Sequence, residues 1–320
     1  MLRSFLIYLS KAAWARHAVT RWPVAWRAAS RFIAGEKLAD GIRVVQSLNE
    51  RGILATLDHL GEHTTTREEA VQATQAILEM LDAIQKSGVR ANVSLKLTQL
   101  GLALDPDFCA DQLQRILTYA RERDNFVRID MEEATWTDIT LEIYQRMRDV
   151  YHLDNTGVVI QAYLFRSEED VRRIAGSGGR IRLCKGAYKE PPEIAYPRKQ
   201  DVDANYDRLA EIMMEAAARS GAAPARPDGK FPPIPAIATH DPKRIEHAKN
   251  AARRIGLPNN AVEFQMLYGI RRDLQEELVR EGYPVRVYVP YGREWYPYYV
   301  RRLAERPANL WFFITNFFRK

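Results

Sequence analysis

Cysteine is scarce in this chain: Cys109 and Cys184 are the two in 320 residues. Two isolated thiols make neither a disulfide framework nor a cysteine zinc site, and point to a reducing compartment. No metal centre is expected. No stretch approaches the roughly 20 apolar residues that a membrane span needs. The glycine-rich phosphate turn of a doubly wound sheet is missing too, since Leu60-Gly61-Glu62 does not supply it. Internal repeats and low-complexity tracts are absent. So is acid from the first 35 residues, where Arg3, Lys11, Arg16, Arg21, Arg27 and Arg31 alternate with Trp14, Trp22, Trp26 and Phe5. Such a segment reads as a transit peptide, a membrane-surface helix or a helical arm packed on the main domain. The arm is the favoured reading, with lipid contact as a second role. A secretory signal is not expected, because no long apolar run ends in a small-residue cleavage site.

What is present supports one large α/β unit. Hydrophobic residues at 46% supply a core, and a net charge of +6 permits contact with anionic surfaces without requiring it. No nucleic-acid partner is expected. Leu38, Ile42, Val45 and Leu48 recur at helical spacing. From Gly52 onward strands alternate with helices. The candidate strands are 53–57, 92–96, 126–130, 158–162, 180–184, 235–239, 262–266 and 285–288. Helical patterns fill the gaps, as at 67–87, 109–123, 137–151 and 202–219. Eight strands with helices between them, over about 250 residues, predict a (β/α)8 barrel. The segment from Gly221 to Pro235, rich in Ala, Pro and Gly, reads as a surface loop. The predicted organisation is a helical arm over 1–50, a barrel over 51–310 and a tail over 311–320.

The active site of such a barrel lies at the C-terminal ends of its strands. Those ends carry Asp58 and Glu62, Lys96, Asp130 and Met131, Gln161, Arg182 and Lys185, Thr239 and His240, Gln265, and Tyr288. Any one of these could be a satisfied structural group; the whole ring together is harder to dismiss. Downstream, Arg286-Val-Tyr288-Val reads as a strand stopped by Pro290 and Gly292, followed by a helix. On that helix Tyr298, Arg301, Arg302 and Glu305 share one face. Two adjacent guanidiniums beside a phenol suit a carboxylate or phosphate. The bland alternative is a solvated basic face balanced by Glu294 and Glu305. Lys96, Arg301 and Arg302 could surround one anion. Arg182 and Lys185 lie elsewhere, where a Lys185-Gly186-Ala187 turn opens backbone N–H groups to a phosphate or ring carbonyl. Two anion sites point to a small acid substrate beside a phosphorylated cofactor.

These motifs resemble the proline dehydrogenase family in its monofunctional bacterial form. The resemblance rests on Leu95-Lys96-Leu97, Arg128-Ile-Asp130-Met-Glu132, Gln161-Ala-Tyr163 and Arg182-Leu-Cys-Lys185-Gly186-Ala187-Tyr188. It continues through Ala238-Thr239-His240, Glu263-Phe-Gln265-Met-Leu-Tyr-Gly269 and Tyr298-Tyr-Val-Arg301-Arg302-Leu-Ala-Glu305. It runs from about Gly35 to about Asn309.

The resemblance implies a distorted (β/α)8 barrel that holds FAD non-covalently, with the final helix over its mouth. It implies oxidation of L-proline to Δ1-pyrroline-5-carboxylate, with electrons passed to a membrane quinone. Lys96, Arg301 and Arg302 would hold the substrate carboxylate, and Glu62 would pair with Arg301. Tyr188, Tyr288 and Tyr298 would wall the ring, with Tyr288 disfavouring hydroxyproline. Arg182 would approach flavin N5, and Asp130 would orient Lys96. Met131, Gln161, Lys185, Gly186, Ala187, Thr239, His240, Gln265 and Glu305 complete the cofactor set. Cys184 is read as a packing residue. The implied location is cytoplasmic, with peripheral contact at the inner face of the membrane through the arm or the tail. Two rival readings stay open: a barrel lyase or aldolase using Lys96 or Lys185 as a Schiff-base amine, and a non-catalytic basic membrane-surface protein.

Overall fold

The computed structural model describes Trp26, residues 29–61, 64–221 and 223–305, the side chains of 303–305 excepted. The basic segment before Trp26 and the aromatic tail at 311–320 lie outside the described residues.

Eight strands form the centre: β1 (Leu54–His59), β2 (Ala91–Lys96), β3 (Val127–Asp130), β4 (Thr156–Gln161), β5 (Arg180–Cys184), β6 (Pro235–Ala238), β7 (Glu263–Leu267) and β8 (Val285–Tyr291). They pair in sequence order, all parallel, and β1 closes the barrel against β8 from Leu54↔Arg286 to His59↔Tyr291. The helices are α1 (Leu38–Glu50), α2 (Arg67–Ser87), α3 (Pro106–Glu122), α4 (Thr137–Asp149), α5 (Ser167–Gly176), α6 (Lys199–Arg219), α7 (Pro242–Ile255), α8 (Arg272–Arg280) and α9 (Trp295–Glu305). The fold is the (β/α)8 barrel that the alternating pattern predicts.

Local sequence accounts for these helices. In α2, the Thr66 side chain accepts from the Glu69 N–H at the start, and Gly88 turns left-handed at the end. Between those caps Ala70, Thr74, Ile77, Leu81 and Ile84 form one buried face. Asp105-Pro106 and Asp241-Pro242 start α3 and α7 with the same cap-then-proline pair.

The distortion comes from exchanged places at the two chain ends. Helix α1 packs against β1 and β8, on the outer face where the helix after β8 would otherwise lie. That frees α9 for the mouth of the barrel. There Trp295, Tyr296, Tyr298, Tyr299 and Val300 share a separate apolar cluster with Ala29, Phe32, Ile33 and Leu60.

Strand β8 runs past its predicted stop. The β7–β8 ladder ends at Leu267↔Tyr288. Pro290, which has no N–H to donate, comes after it and costs no sheet bond. Its carbonyl accepts from the Ala34 N–H at 2.9 Å.

The segment before β6 is also more than a surface loop. Its second half folds across the N-terminal end of the barrel, where Gly229, Pro232 and Pro233 are buried. Arg286 donates to the Gly229 carbonyl at 2.7 Å, Asn92 to Lys230 at 2.8 Å and Arg180 to Pro232 at 2.8 Å. These donors project inward, because the barrel interior here is polar and does not hold the branched apolar layers usual in such barrels. Arg286 and Glu263 are paired at 2.8 Å with almost no exposure. Arg128 lies buried against Phe126 and donates to the Val158 carbonyl at 3.1 Å. Gly157 makes room for it, since a Cβ there would stand 2.5 Å from the Arg128 guanidinium.

Candidate active site

Above this polar interior, at the C-terminal ends of the strands, lies a cavity of about 680 Å³. Period-two alternation puts every second residue of each strand inside, so one strand end gives one or two inward groups. Lys96, Asp130, Met131, Gln161, Arg182, Lys185, Gly186, Ala187, Tyr188, Thr239, His240, Gln265, Tyr288, Tyr298, Arg301 and Arg302 all line it. Of the residues singled out in the sequence, Glu62 and the side chain of Glu305 lie outside the described residues. Among the described lining residues there are seven cationic side chains and two carboxylates.

Asp130 organises the floor. Its Oδ1 accepts from Arg182 at 2.7 Å and from Ser94 at 2.6 Å, and its Oδ2 accepts from Tyr288 at 2.8 Å. Lys96 stands 3.8 Å from Asp130 and 3.6 Å from the fully buried Asp58. Burial pushes the Tyr288 phenol well above its ordinary range, and the Asp130 charge pushes it further. Tyr288 therefore remains a donor. The Arg182 guanidinium sits 5.3 Å from the centre of its ring.

A second cluster lies at the β5 and β6 ends. Lys185 donates to Asp203 and, at 2.9 Å, to Asp241. Asp241 also caps α7 through its other oxygen, so helix start and lysine position are fixed together. The next residue, Gly186, holds φ +112, and a Cβ there would come 2.4 Å from the Tyr163 ring. His240 accepts from the Leu267 N–H at 2.9 Å through Nε2, which leaves the proton of a neutral ring on Nδ1. Gln161 is held by a 2.8 Å bond to the Glu132 carbonyl.

Arg301 and Arg302 come from α9 and are half-buried on the cavity wall, not turned into bulk water. Arg302 stacks 5.1 Å from the Tyr298 ring. Arg301 and Arg302 share the cavity with Lys96 because α9 crosses the mouth.

Sequence reasoning gave no role to Ser94, Asp203, Asp241, Glu263 or Arg271, and left Asp58 as a strand-end residue without a partner. Asp241-Pro242 after a strand was a readable cap signal. Asp203 was not readable, because it is an ordinary α6 residue until the fold brings Lys185 to it. Cys184 lines the cavity as well, with its Sγ 3.6 Å from the Ile160 carbonyl.

A closed parallel barrel with a charged cavity at its strand ends is the layout of a (β/α)8 enzyme. The proline dehydrogenase family model matches residues 42–314. Proline dehydrogenase 2 of Bacillus subtilis (strain 168) is 37% identical over 318 residues, covering 99% of both chains. The proline dehydrogenase of Deinococcus radiodurans is 38% identical over 294 residues, covering 91% of this chain and 90% of that one. Among solved structures, proline utilization A from Bdellovibrio bacteriovorus, inactivated by N-propargylglycine, superimposes with a TM-score of 0.78 at 28% identity. That match covers 88% of this chain and 33% of the larger protein, so this chain spans about a third of its length. The chain belongs to the proline dehydrogenase family. It is an oxidoreductase acting on proline.

Proposed function

We propose that this enzyme oxidises L-proline to Δ1-pyrroline-5-carboxylate on a non-covalently bound FAD and passes the electrons to a quinone. The carrying observation is the charge layout of the cavity: seven cations and two carboxylates among its described lining residues, with Lys96 and Arg182 beside Asp130 in one group and Lys185 between Asp203 and Asp241 in a second. Cationic side chains lining a partly buried cavity suit anionic groups of a substrate or cofactor. A substrate carboxylate suits Lys96, Arg301 and Arg302. A flavin diphosphate and ring suit the second group, where Lys185, the Gly186 backbone, Gln161, Thr239 and His240 offer donors around a position with no Cβ. When bound, FAD supplies the two-electron acceptor for the hydride leaving the proline ring carbon.

The chain's own residues do the rest. Lys96 and the two arginines clamp the carboxylate, while Tyr188, Tyr288 and Tyr298 wall the ring. Asp130 is already engaged by three donors, Ser94, Arg182 and Tyr288. It therefore holds the floor, and the proline nitrogen loses its proton to solvent at the cavity opening. The Schiff-base reading is disfavoured by the same geometry. Lys185 is salt-bridged between two carboxylates and Lys96 lies near two more, so neither offers the free amine that attack on a carbonyl needs.

The test is spectroscopic. The purified protein should be yellow, and its visible flavin absorption should bleach when proline is added without oxygen. A colourless protein, or a flavin that stays oxidised with proline, overturns the proposal. A soluble quinone should then restore the absorption faster than oxygen does. Among the described residues no helix is long and apolar enough to cross a membrane. Contact with the quinone's membrane is accordingly proposed as peripheral, at the cytoplasmic face, and flotation with anionic vesicles checks it.

A further inference from the structure

Below the cavity floor, a line of hydrogen bonds runs down the barrel axis to the segment that closes its far end. Arg182 donates from Nε to Gln265 Oε1 at 2.5 Å, and Gln265 donates from Nε2 to Glu263 Oε1 at 2.5 Å. Glu263 takes two bonds from Arg286, at 2.8 and 3.0 Å. Arg286 in turn donates to the carbonyls of Ala55 and Gly229, each at 2.7 Å. Glu263 and Arg286 are almost completely buried and do not line the cavity.

The central amide matters most. A Gln side chain has one accepting and one donating end, and it can turn over. Here a guanidinium, which only donates, lies on one side. A carboxylate, which only accepts, lies on the other. The two together allow a single orientation, with the oxygen toward Arg182. An ion pair alone would explain Glu263 as the counter-charge of Arg286. It would not explain the bond from Gln265.

We infer that Glu263 is a positioning residue for the reaction: through the Gln265 amide it fixes Arg182 at the cavity floor. This rests on the proposed function together with the family resemblance, which implies that Arg182 approaches flavin N5. Glu263→Gln keeps the shape but lets the facing amide turn either way, so Arg182 loses a fixed acceptor. Gln265→Met cuts the line while leaving the Glu263–Arg286 pair intact.

Both variants of the FAD-loaded enzyme are compared with wild type for kcat, for KM and for the reduction potential of the bound flavin. The expected result is a kcat lower by about ten- to a hundredfold, with KM for proline changed less than about twofold. The flavin potential should move to more negative values, because Arg182, left with Asp130 and without the Gln265 acceptor, is held less firmly. The double variant should lose no more than Gln265→Met alone, since the two changes cut one line. Wild-type kcat and potential in Gln265→Met overturn the inference, and so do additive losses in the double variant. If Glu263→Gln does not fold, Glu263→Asp, whose shorter carboxylate withdraws from the Gln265 amide, takes its place, because Gln265 itself lines the cavity. A wild-type enzyme that does not oxidise proline overturns the functional reading together with this inference. Wild-type turnover with unchanged variants overturns the inference alone.

Discussion

Arg301 and Arg302 are neighbours in sequence, yet only a helix crossing the mouth lets both reach one cavity. Their charge is worth most where water is scarce, and both are half-buried there. Replacing either one by Met should weaken proline binding by about 2–5 kcal/mol, because a desolvated carboxylate loses a paired partner. That corresponds to a KM at least about thirtyfold higher. Steady-state kinetics with proline checks it, and a near-native KM in both variants removes the clamp from the mechanism. At this scale much of the site was legible. Polar residues at Lys96, Asp130, Arg182 and Tyr288 stand out because a barrel strand should end in apolar or small groups. Their pairings were not legible: that Asp58 shares Lys96 with Asp130, or that Asp241 shares Lys185 with Asp203, depends on which strand ends are neighbours in space.

Helix α9 owes its place to a packing cluster distinct from the barrel core. Trp295 is its centre, with ring contacts to Trp26 at 5.5 Å, Tyr299 at 6.1 Å and Tyr296 at 6.4 Å. Trp295→Ala removes about 3–5 kcal/mol of packing from this cluster. The loss should fall on the attachment of α9 and not on the barrel, because the two clusters are separate. The expected outcome is a proline KM raised at least about tenfold, a new protease cut near Gly292, and little change in the main unfolding transition. An unchanged KM would show that α9 holds its position without this cluster. Elements of this kind show both sides of sequence reading. The predicted span 67–87 coincides with α2, since its caps and periodicity are local. The predicted end of β8 at Tyr288, ahead of Pro290, is too early, because what a proline costs depends on whether a neighbour needs its N–H.

Over the whole molecule, charge holds separate elements to one another. Asp203 lies on α6, Lys185 follows β5 and Asp241 opens α7. Burial pushes the Asp203 carboxyl up, but Lys185 and Lys199 outweigh it and leave it below its ordinary value. Asp241 is likewise lowered, with burial opposed by Lys185 and by the Lys243 N–H. A carboxylate whose folded pKa is depressed stabilises the fold above its ordinary value, near 3.9, and loses that contribution as pH falls through the folded value. The thermal midpoint should therefore drop as pH is lowered from about 5 to about 3. Asp203→Asn should flatten that drop, and a pH series of melting curves on both proteins checks it. An identical slope in the variant would place the acid sensitivity elsewhere. By itself the sequence determined the alternation of strands and helices, the spans of the helices with good caps, and the ring of polar strand ends, because each depends on period and on near neighbours. The tertiary structure alone decided that the barrel interior is an ion-paired column, that the segment before β6 seals its far end, and which carboxylate serves which cation. Those are contacts between residues tens to hundreds of positions apart, and barrel closure, not local propensity, brings them together.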